Sequence, residues 1–357
     1  MRTADALVTS LLGAEWHGNY AAIELTVEAM AEQDEQPGRD ALDRPTFTAE
    51  GLEETRRRMF GRNPWYARIL LEALDLETIP TPLVVEVGCG SGAYTRLIAR
   101  ALPTGGRVVG MDLDLRLAAA ALRIAASEGL EDRMAFVTGD SLRLPLSDRC
   151  ADRAFCNTLL WLLADPLAAV KEMARVVRPS GLVVASEPDA GLAVYYDPQD
   201  PRLAQLALRS IQAFTRGARL LWGQDFEIGR RLPELFRVAG LVNVRVFPRF
   251  WIDLDSDFEA EPAESRLASY RWQLARLEAE EDETDLEPPE DPAPETRPRL
   301  ERWEQARLAG GMTAAELAEY RERRRGRLRS LIEDPERLAS DVAVRTWGGV
   351  IARGRRP

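Results

Sequence analysis

Glycine stands at every second position in Gly88-Cys89-Gly90-Ser91-Gly92, directly after the apolar run Val84-Val85-Glu86-Val87. A short β-branched run that ends in such a loop reads as a buried strand followed by a tight turn. Helical spacing resumes from Ala93 to Leu102. Glycines let backbone approach a ligand without a Cβ in between, and the helix start behind them offers free N–H groups. A second chemical group follows. Arg107 to Met111 reads as another buried strand, and it ends at Asp112, 20 residues after Gly92. A carboxylate at the tip of a neighbouring strand can accept hydrogen bonds from ribose hydroxyls. Together these residues describe a place for a nucleoside-containing ligand.

The elements that must position them alternate short apolar runs with helical spacing from Leu83 onward, the pattern of a parallel α/β sheet. Met134 to Thr138 is the expected third strand, with Gly139-Asp140-Ser141 as its loop, and Ala151 to Cys156 the fourth, with Asn157 at its end. Asp165 to Val177 reads as an amphipathic helix stopped by Pro179-Ser180-Gly181, and Leu182 to Ser186 as the fifth strand, followed by Glu187-Pro188-Asp189. A loop over Tyr195 to Arg202 precedes helices at Leu203 to Phe214 and Gly229 to Ala239; Val242 to Ile252 and Val342 to Arg353 are the last strands. Seven strands with helices on both faces are expected, in a Rossmann-like, mostly parallel sheet. Residues 1–82 form an N-terminal helical cap, 83–252 the α/β core, 253–340 a helical insertion with an acidic linker at about 278–295, and 341–357 the last strand. Thr313-Ala314-Ala315-Glu316 starts a charged helix within the insertion with a capping box.

Composition removes several classes. The 357 residues are 45% apolar, enough for a buried core. No apolar run approaches the roughly 20 residues that span a bilayer, and a basic segment followed by an apolar stretch is not found at the N-terminus; a cytoplasmic protein without membrane partners is expected. Cys89, Cys150 and Cys156 suit neither a disulfide framework nor a zinc site, and His17 is the single histidine, so no metal centre is expected. Ten acids and no basic residue between Glu278 and Glu295 account for nearly all of the net charge of −11. The remainder is near neutral and lacks a basic stripe for nucleic acid. Leu7, Leu11, Leu12, Trp16, Tyr20, Ile23 and Val27 share a helical face that would pack on the domain or on a second copy of the chain, or close over a site.

The ordered set Glu86-Val87-Gly88-Cys89-Gly90-Ser91-Gly92, Gly110-Met111-Asp112, Gly139-Asp140 and Arg175-Val176-Val177-Arg178-Pro179-Ser180-Gly181 resembles class I S-adenosylmethionine-dependent methyltransferases, in particular the branch of quinone-biosynthesis and natural-product enzymes. Gly229 to Phe236 and Ala239-Gly240-Leu241 resemble the segment before their sixth strand. The resemblance implies that Gly88, Gly90 and Gly92 lie against the methionine part of S-adenosylmethionine and that Glu86 holds that loop. It also implies that Asp112 binds ribose, Leu113 lies on adenine, and Asp140 faces the adenine amine beside Ser141 and Leu142. Asn157 would lie near the transferred methyl. A dinucleotide-binding loop would need glycine where Ala93 stands. Ser180 replaces a glycine often found in these enzymes, and Leu159-Leu160-Trp161-Leu162-Leu163 stands where many relatives carry histidine.

Methyl transfer from a sulfonium is an in-line displacement that depends on alignment and exclusion of water. A base is needed only for an acceptor that arrives protonated. The candidates are Glu187, Asp189 and Tyr195, with Tyr196 and His17 behind them. Trp161, Tyr195, Tyr196, Trp222, Trp251, Tyr270 and Trp272 could line a pocket for a planar, apolar acceptor. A small-molecule methyltransferase is the leading reading. The alternatives are a nucleic-acid or protein methyltransferase, against which Asn157 is followed by Thr158-Leu159-Leu160 rather than Pro-Pro-Tyr, and a protein of this fold that binds the cofactor without transferring methyl.

Overall fold

The computed structural model describes residues 48–53, 64–254, 263–279 and 296–357. The expected helix over 1–34, with His17, and most of the acidic stretch lie outside the described residues. The chain divides into two compact units: residues up to Glu187 with Ile228–Pro248 and Val350–Pro357, and Pro188–Glu227 with Arg249–Gly349.

In the first unit, β1 (Leu83–Val87) is central and lies parallel to both β2 (Arg107–Asp112) and β4 (Ala151–Asn157). β2 continues to β3 (Met134–Thr138), and β4 to β5 (Val177–Pro188), again in parallel. The order β3-β2-β1-β4-β5-β8 is completed by β8 (Val344–Arg355), which also pairs with β7 (Val242–Leu254). Sequence alternation explains the two cores. Val84, Val108, Phe155 and Val184 point into one cluster with Tyr66, Leu70 and Leu74 of α1 (Pro64–Leu74) and Tyr94 and Ile98 of α2 (Ala93–Ala101). Their neighbours Val85, Val109, Ala154 and Val183 point into the other. There they meet Val170 and Met173 of α4 (Pro166–Val176) and Leu232 and Phe236 of α6 (Leu232–Val238). With both faces covered, the central strands are mostly apolar on both faces rather than alternating. α3 (Leu115–Ser127) carries the crossover from β2 to β3 and is capped by Asp114, which accepts from the Arg116 N–H.

Pro64 opens α1, a place that needs no N–H. Two expectations change. Pro179-Ser180-Gly181 reads as a loop, but β5 begins at Val177 and absorbs it as a bulge, where Ser180 takes φ 67°. The segment from Tyr195 reads as loop, but β6 (Val194–Tyr196) pairs antiparallel with residues 344–346 of β8, giving an eighth strand.

That strand belongs to the second unit, with α5 (Pro201–Trp222), α7 (Ala263–Ala279), α8 (Thr296–Ala309) and α9 (Ala314–Glu333). α5 and α8 touch through backbone: a Cβ on Gly217 would overlap the Ala306 carbonyl, and one on Gly310 the Ala213 carbonyl. α9 starts with the expected capping box, Thr313 and Glu316 each accepting the other's backbone N–H.

Candidate cofactor site

The site is built at the carboxyl ends of β1 to β4, where open sheets bind ligands. Gly88, Gly90 and Gly92 have φ of 74°, 55° and 78°, a left-handed backbone that side-chain-bearing residues resist. The Gly88 and Cys89 N–H groups donate to the Met111 carbonyl at 2.7 and 2.9 Å, so the loop is fixed to β2. Behind it, Glu86 is buried and accepts from the Thr95 hydroxyl at 2.5 Å, joining β1 to α2. Arg96 is buried as well. Its guanidinium donates to the Ser91 carbonyl at 2.8 Å and pairs with Glu53 and Glu128. Burial and the charges of Glu86 and Asp112 push the Cys89 thiol well up, so it stays a neutral packing group.

Asp112 is oriented from two sides. One carboxylate oxygen accepts the Gly90 N–H at 2.7 Å and the other the Asp114 N–H at 2.9 Å. Burial raises its pKa while those N–H groups oppose the rise. Each oxygen keeps a lone pair for a ligand hydroxyl. At the same end of the sheet, the Gly139 N–H donates to the Asp112 carbonyl at 2.9 Å. Asp140 closes the next turn by accepting the Leu142 N–H at 2.9 Å, with half-buried Ser141 between them. Leu113 and Leu142 are 39% and 37% exposed, two large apolar side chains beside two carboxylates. The group implied by the resemblance has a ribose, an apolar planar base and a charged methionine end; the donor set and apolar surfaces fit it.

Residues 85–185 match the family model described as Methyltransferase domain. Over this stretch the chain is similar to methyltransferases. Among its relatives, the demethylmenaquinone methyltransferase of Staphylococcus aureus is 29% identical over 45% of this chain and 68% of its own length. An uncharacterized 37.1 kDa protein in transposon TN4556 of Streptomyces fradiae is 32% identical over 51% of this chain; the chain spans about half of that relative's length, 49%. Among solved structures, phosphoethanolamine N-methyltransferase 2 of Haemonchus contortus, in complex with S-adenosyl-L-methionine, is 15% identical. It aligns with a TM-score of 0.45 over 89% of this chain and 60% of that one.

Within residues 85–185, Asn157 stands at the tip of β4 but is only 3% exposed. Its side-chain oxygen accepts from the Tyr66 hydroxyl at 2.8 Å, and its amide donates to the Thr158 hydroxyl at 2.9 Å. Tyr66 also meets the Ser186 hydroxyl at 2.7 Å. Glu187, fully buried, accepts the Leu159 and Leu160 N–H groups on Oε1, both at 3.0 Å, and so holds the turn after β4. Asp189 and Tyr195 belong to the second unit. There Asp189 caps a short turn by accepting the Gly191 N–H at 3.1 Å, and Tyr195 is half-buried on β6. Of the seven aromatics expected to line one pocket, Trp161 falls in the first unit and the other six in the second.

Two holding residues escaped sequence reasoning. Tyr66 sits before any recognisable motif. Arg175 reads in sequence only as part of a motif, yet its guanidinium donates to the Leu144 and Leu146 carbonyls at 2.9 and 2.8 Å and pairs with Glu172 and Asp148. Glu172 in turn accepts the Leu144 N–H at 2.8 Å. The pair fastens the loop that follows Asp140, and the hydrogen bonds to Arg175 hold the Glu172 carboxyl below its usual range. An acid and an arginine three apart on a helix, just before a glycine-bearing loop, was the available signal.

Proposed function

We propose that this chain transfers the methyl group of S-adenosylmethionine to a small organic acceptor. The observation that carries the reading is the Asp112 carboxylate, braced by the Gly90 and Asp114 N–H groups next to exposed Leu113. In this reading Asp112 binds the ribose hydroxyls, and Leu113 and Leu142 offer apolar surface to adenine. Asp140 accepts from the adenine amine beside Ser141, and Gly88, Gly90 and Gly92 give the methionine end close access to backbone. Glu86 and Arg96 hold the loop in that shape, and Asn157 closes the floor at β4. When bound, the cofactor supplies an electrophilic methyl carbon on a sulfonium.

The chain's own part is alignment and exclusion of water. With Oε1 of Glu187 committed to two loop N–H groups and no histidine among the described residues, the acceptor brings its own available lone pair. The relative named demethylmenaquinone methyltransferase supports a small-molecule acceptor. The test is label transfer from radiolabelled S-adenosylmethionine to a panel of phenols, amines and RNA. Label in one small-molecule class is the expected result. Label in RNA alone would replace the acceptor assignment, and tight cofactor binding without transfer to any acceptor would point to a non-methylating use of the fold.

A further inference from the structure

In the second unit, the arginines of α9 meet carboxylates almost one for one. Arg321 pairs with Glu304, Arg323 with Asp200 and Glu319, Arg325 with Glu322, Arg327 with Asp197 and Asp341, and Arg329 with Glu278. Arg324 departs from this pattern. It donates to the Tyr320 hydroxyl at 3.0 Å and to the Gln273 side-chain oxygen at 2.8 Å. Among the described residues, no carboxylate lies within ion-pair distance of it. Arg307 on α8 behaves the same way: it donates to the Ser210 hydroxyl at 2.7 Å, and its guanidinium lies 5.9 Å from the Phe214 ring centre, again with no carboxylate at ion-pair distance among the described residues.

Both cations act on one phenol. Burial pushes Tyr320 up, yet the charges of Arg324, Arg307 and Arg345 together outweigh it and leave that hydroxyl below the ordinary tyrosine range. Tyr195 shares the field. Burial raises it, while Arg345 and Arg327 oppose the rise. Arg345, on β8, reaches the Tyr270 hydroxyl at 3.4 Å. Burial lowers Arg307, and the charge of Arg324 acts in the same direction. Among the described residues these two half-buried guanidiniums repel each other and bond only neutral groups, with Glu304 acting on Arg307 from beyond ion-pair distance. Guanidinium forks fit the paired oxygens of carboxylate and phosphoryl groups, and phenol hydroxyls add further donors.

We infer that Arg307, Arg324 and Arg345, with the hydroxyls of Tyr320 and Tyr195, form a binding site in the second unit for the carboxylate or phosphoryl group of a small organic anion. The site stands independently of the methyl-transfer reading above. It gives Tyr195 a role as an anion donor rather than a base.

The test is calorimetric titration of the full chain with inorganic phosphate and, separately, benzoate, at constant ionic strength in potassium chloride. Saturable binding of at least one probe is expected, weakened about tenfold or more in Arg324→Gln and in Arg307→Gln, while S-adenosylhomocysteine binds all three chains alike. The stronger probe distinguishes phosphoryl from carboxylate. A further readout separates binding from packing: without added anion Arg307→Met should melt no lower than the parent chain, and it should lose the rise in Tm that the anion gives the parent. Failure of both probes to saturate the parent chain, variants that bind like the parent, or a lower Tm for Arg307→Met without anion would each overturn the site. Anion binding without S-adenosylhomocysteine binding would instead break the methyl-transfer reading and leave the site standing.

Discussion

The two units satisfy buried charge in different ways. In the first, carboxylates are held mainly by backbone: Asp112 by Gly90 and Asp114, Glu187 by Leu159 and Leu160, Asp152 by the Leu83 N–H at 2.8 Å. In the second, carboxylates are held mainly by arginine side chains, as Asp197 and Asp341 are by Arg327. Backbone donors are fixed by the sheet that carries them, so the first arrangement presents a preorganised surface to a ligand. Side-chain pairs can exchange partners, so Arg324, which has no carboxylate at ion-pair distance among the described residues, stands out as available for something else.

The largest expected effect falls on the side-chain arrangement. Arg327 bridges two carboxylates that are each 2% exposed. Arg327→Met leaves both buried without their cation, and a loss of about 3 to 5 kcal/mol is expected from chemical denaturation. A loss below about 1 kcal/mol, the size of a surface pair, would erase the contrast between the units. Glu187→Ala attacks the backbone arrangement. It strips two buried N–H groups of their acceptor, and about 2 to 4 kcal/mol of stability should go with it. A second variant at that position sharpens the functional reading: Glu187→Gln keeps an acceptor oxygen and should keep methyl transfer, whereas replacing a general base in this way would abolish it.

Asp112→Ala comes next, and its effect should be on binding rather than folding. Losing hydrogen bonds to a charged group weakens S-adenosylhomocysteine by about 1 to 3 kcal/mol in calorimetry; unchanged affinity would remove Asp112 from the cofactor site.

What the sequence made legible follows from the same contrast. Strands buried on both faces are mostly apolar on both, so Leu83–Val87 and Arg107–Asp112 were readable, and the glycine loop between β1 and α2 was readable from backbone needs alone. The holders were not, because their partners are distant in the chain. Tyr66 reaches Asn157 across 91 positions, and Arg153 reaches the Leu74 carbonyl across 79. β6 was hidden because three residues beside an Asp- and Pro-rich loop carry no periodicity, and its partner, at the start of β8, is some 150 residues away. Arginine pairing in the second unit was invisible for the same reason: α9 reads as a solvated charged helix until Asp197, Asp200 and Asp341 are brought to it.

Smaller effects test single positions. Ser180 sits at φ 67° with its N–H donating to the Arg356 carbonyl at 2.9 Å. A side chain in left-handed backbone costs about 1 to 2 kcal/mol, so Ser180→Gly should gain about 1 kcal/mol and raise Tm without altering cofactor affinity. A fall in Tm would show that the hydroxyl matters more than the backbone.

The smallest effect concerns pH. Glu319 accepts from Arg202 and Arg323, and these hydrogen bonds lower its carboxyl from the usual 4.5 to about 2. A carboxylate whose folded pKa is depressed adds stability above its unfolded pKa. That stability is lost as pH falls through the folded one, here between about 4.5 and 2. Because Glu319 is solvent-screened, the gain is modest and should fade in salt. Glu319→Gln should therefore flatten the acid limb of the stability curve in low salt and leave neutral stability nearly unchanged. The buried carboxylates bound by Arg327 behave oppositely in one respect: their contribution should resist salt. If added salt erased both effects equally, surface and interior pairs of the second unit would be the same kind of interaction, and the pairing pattern that singles out Arg307 and Arg324 would lose its physical basis.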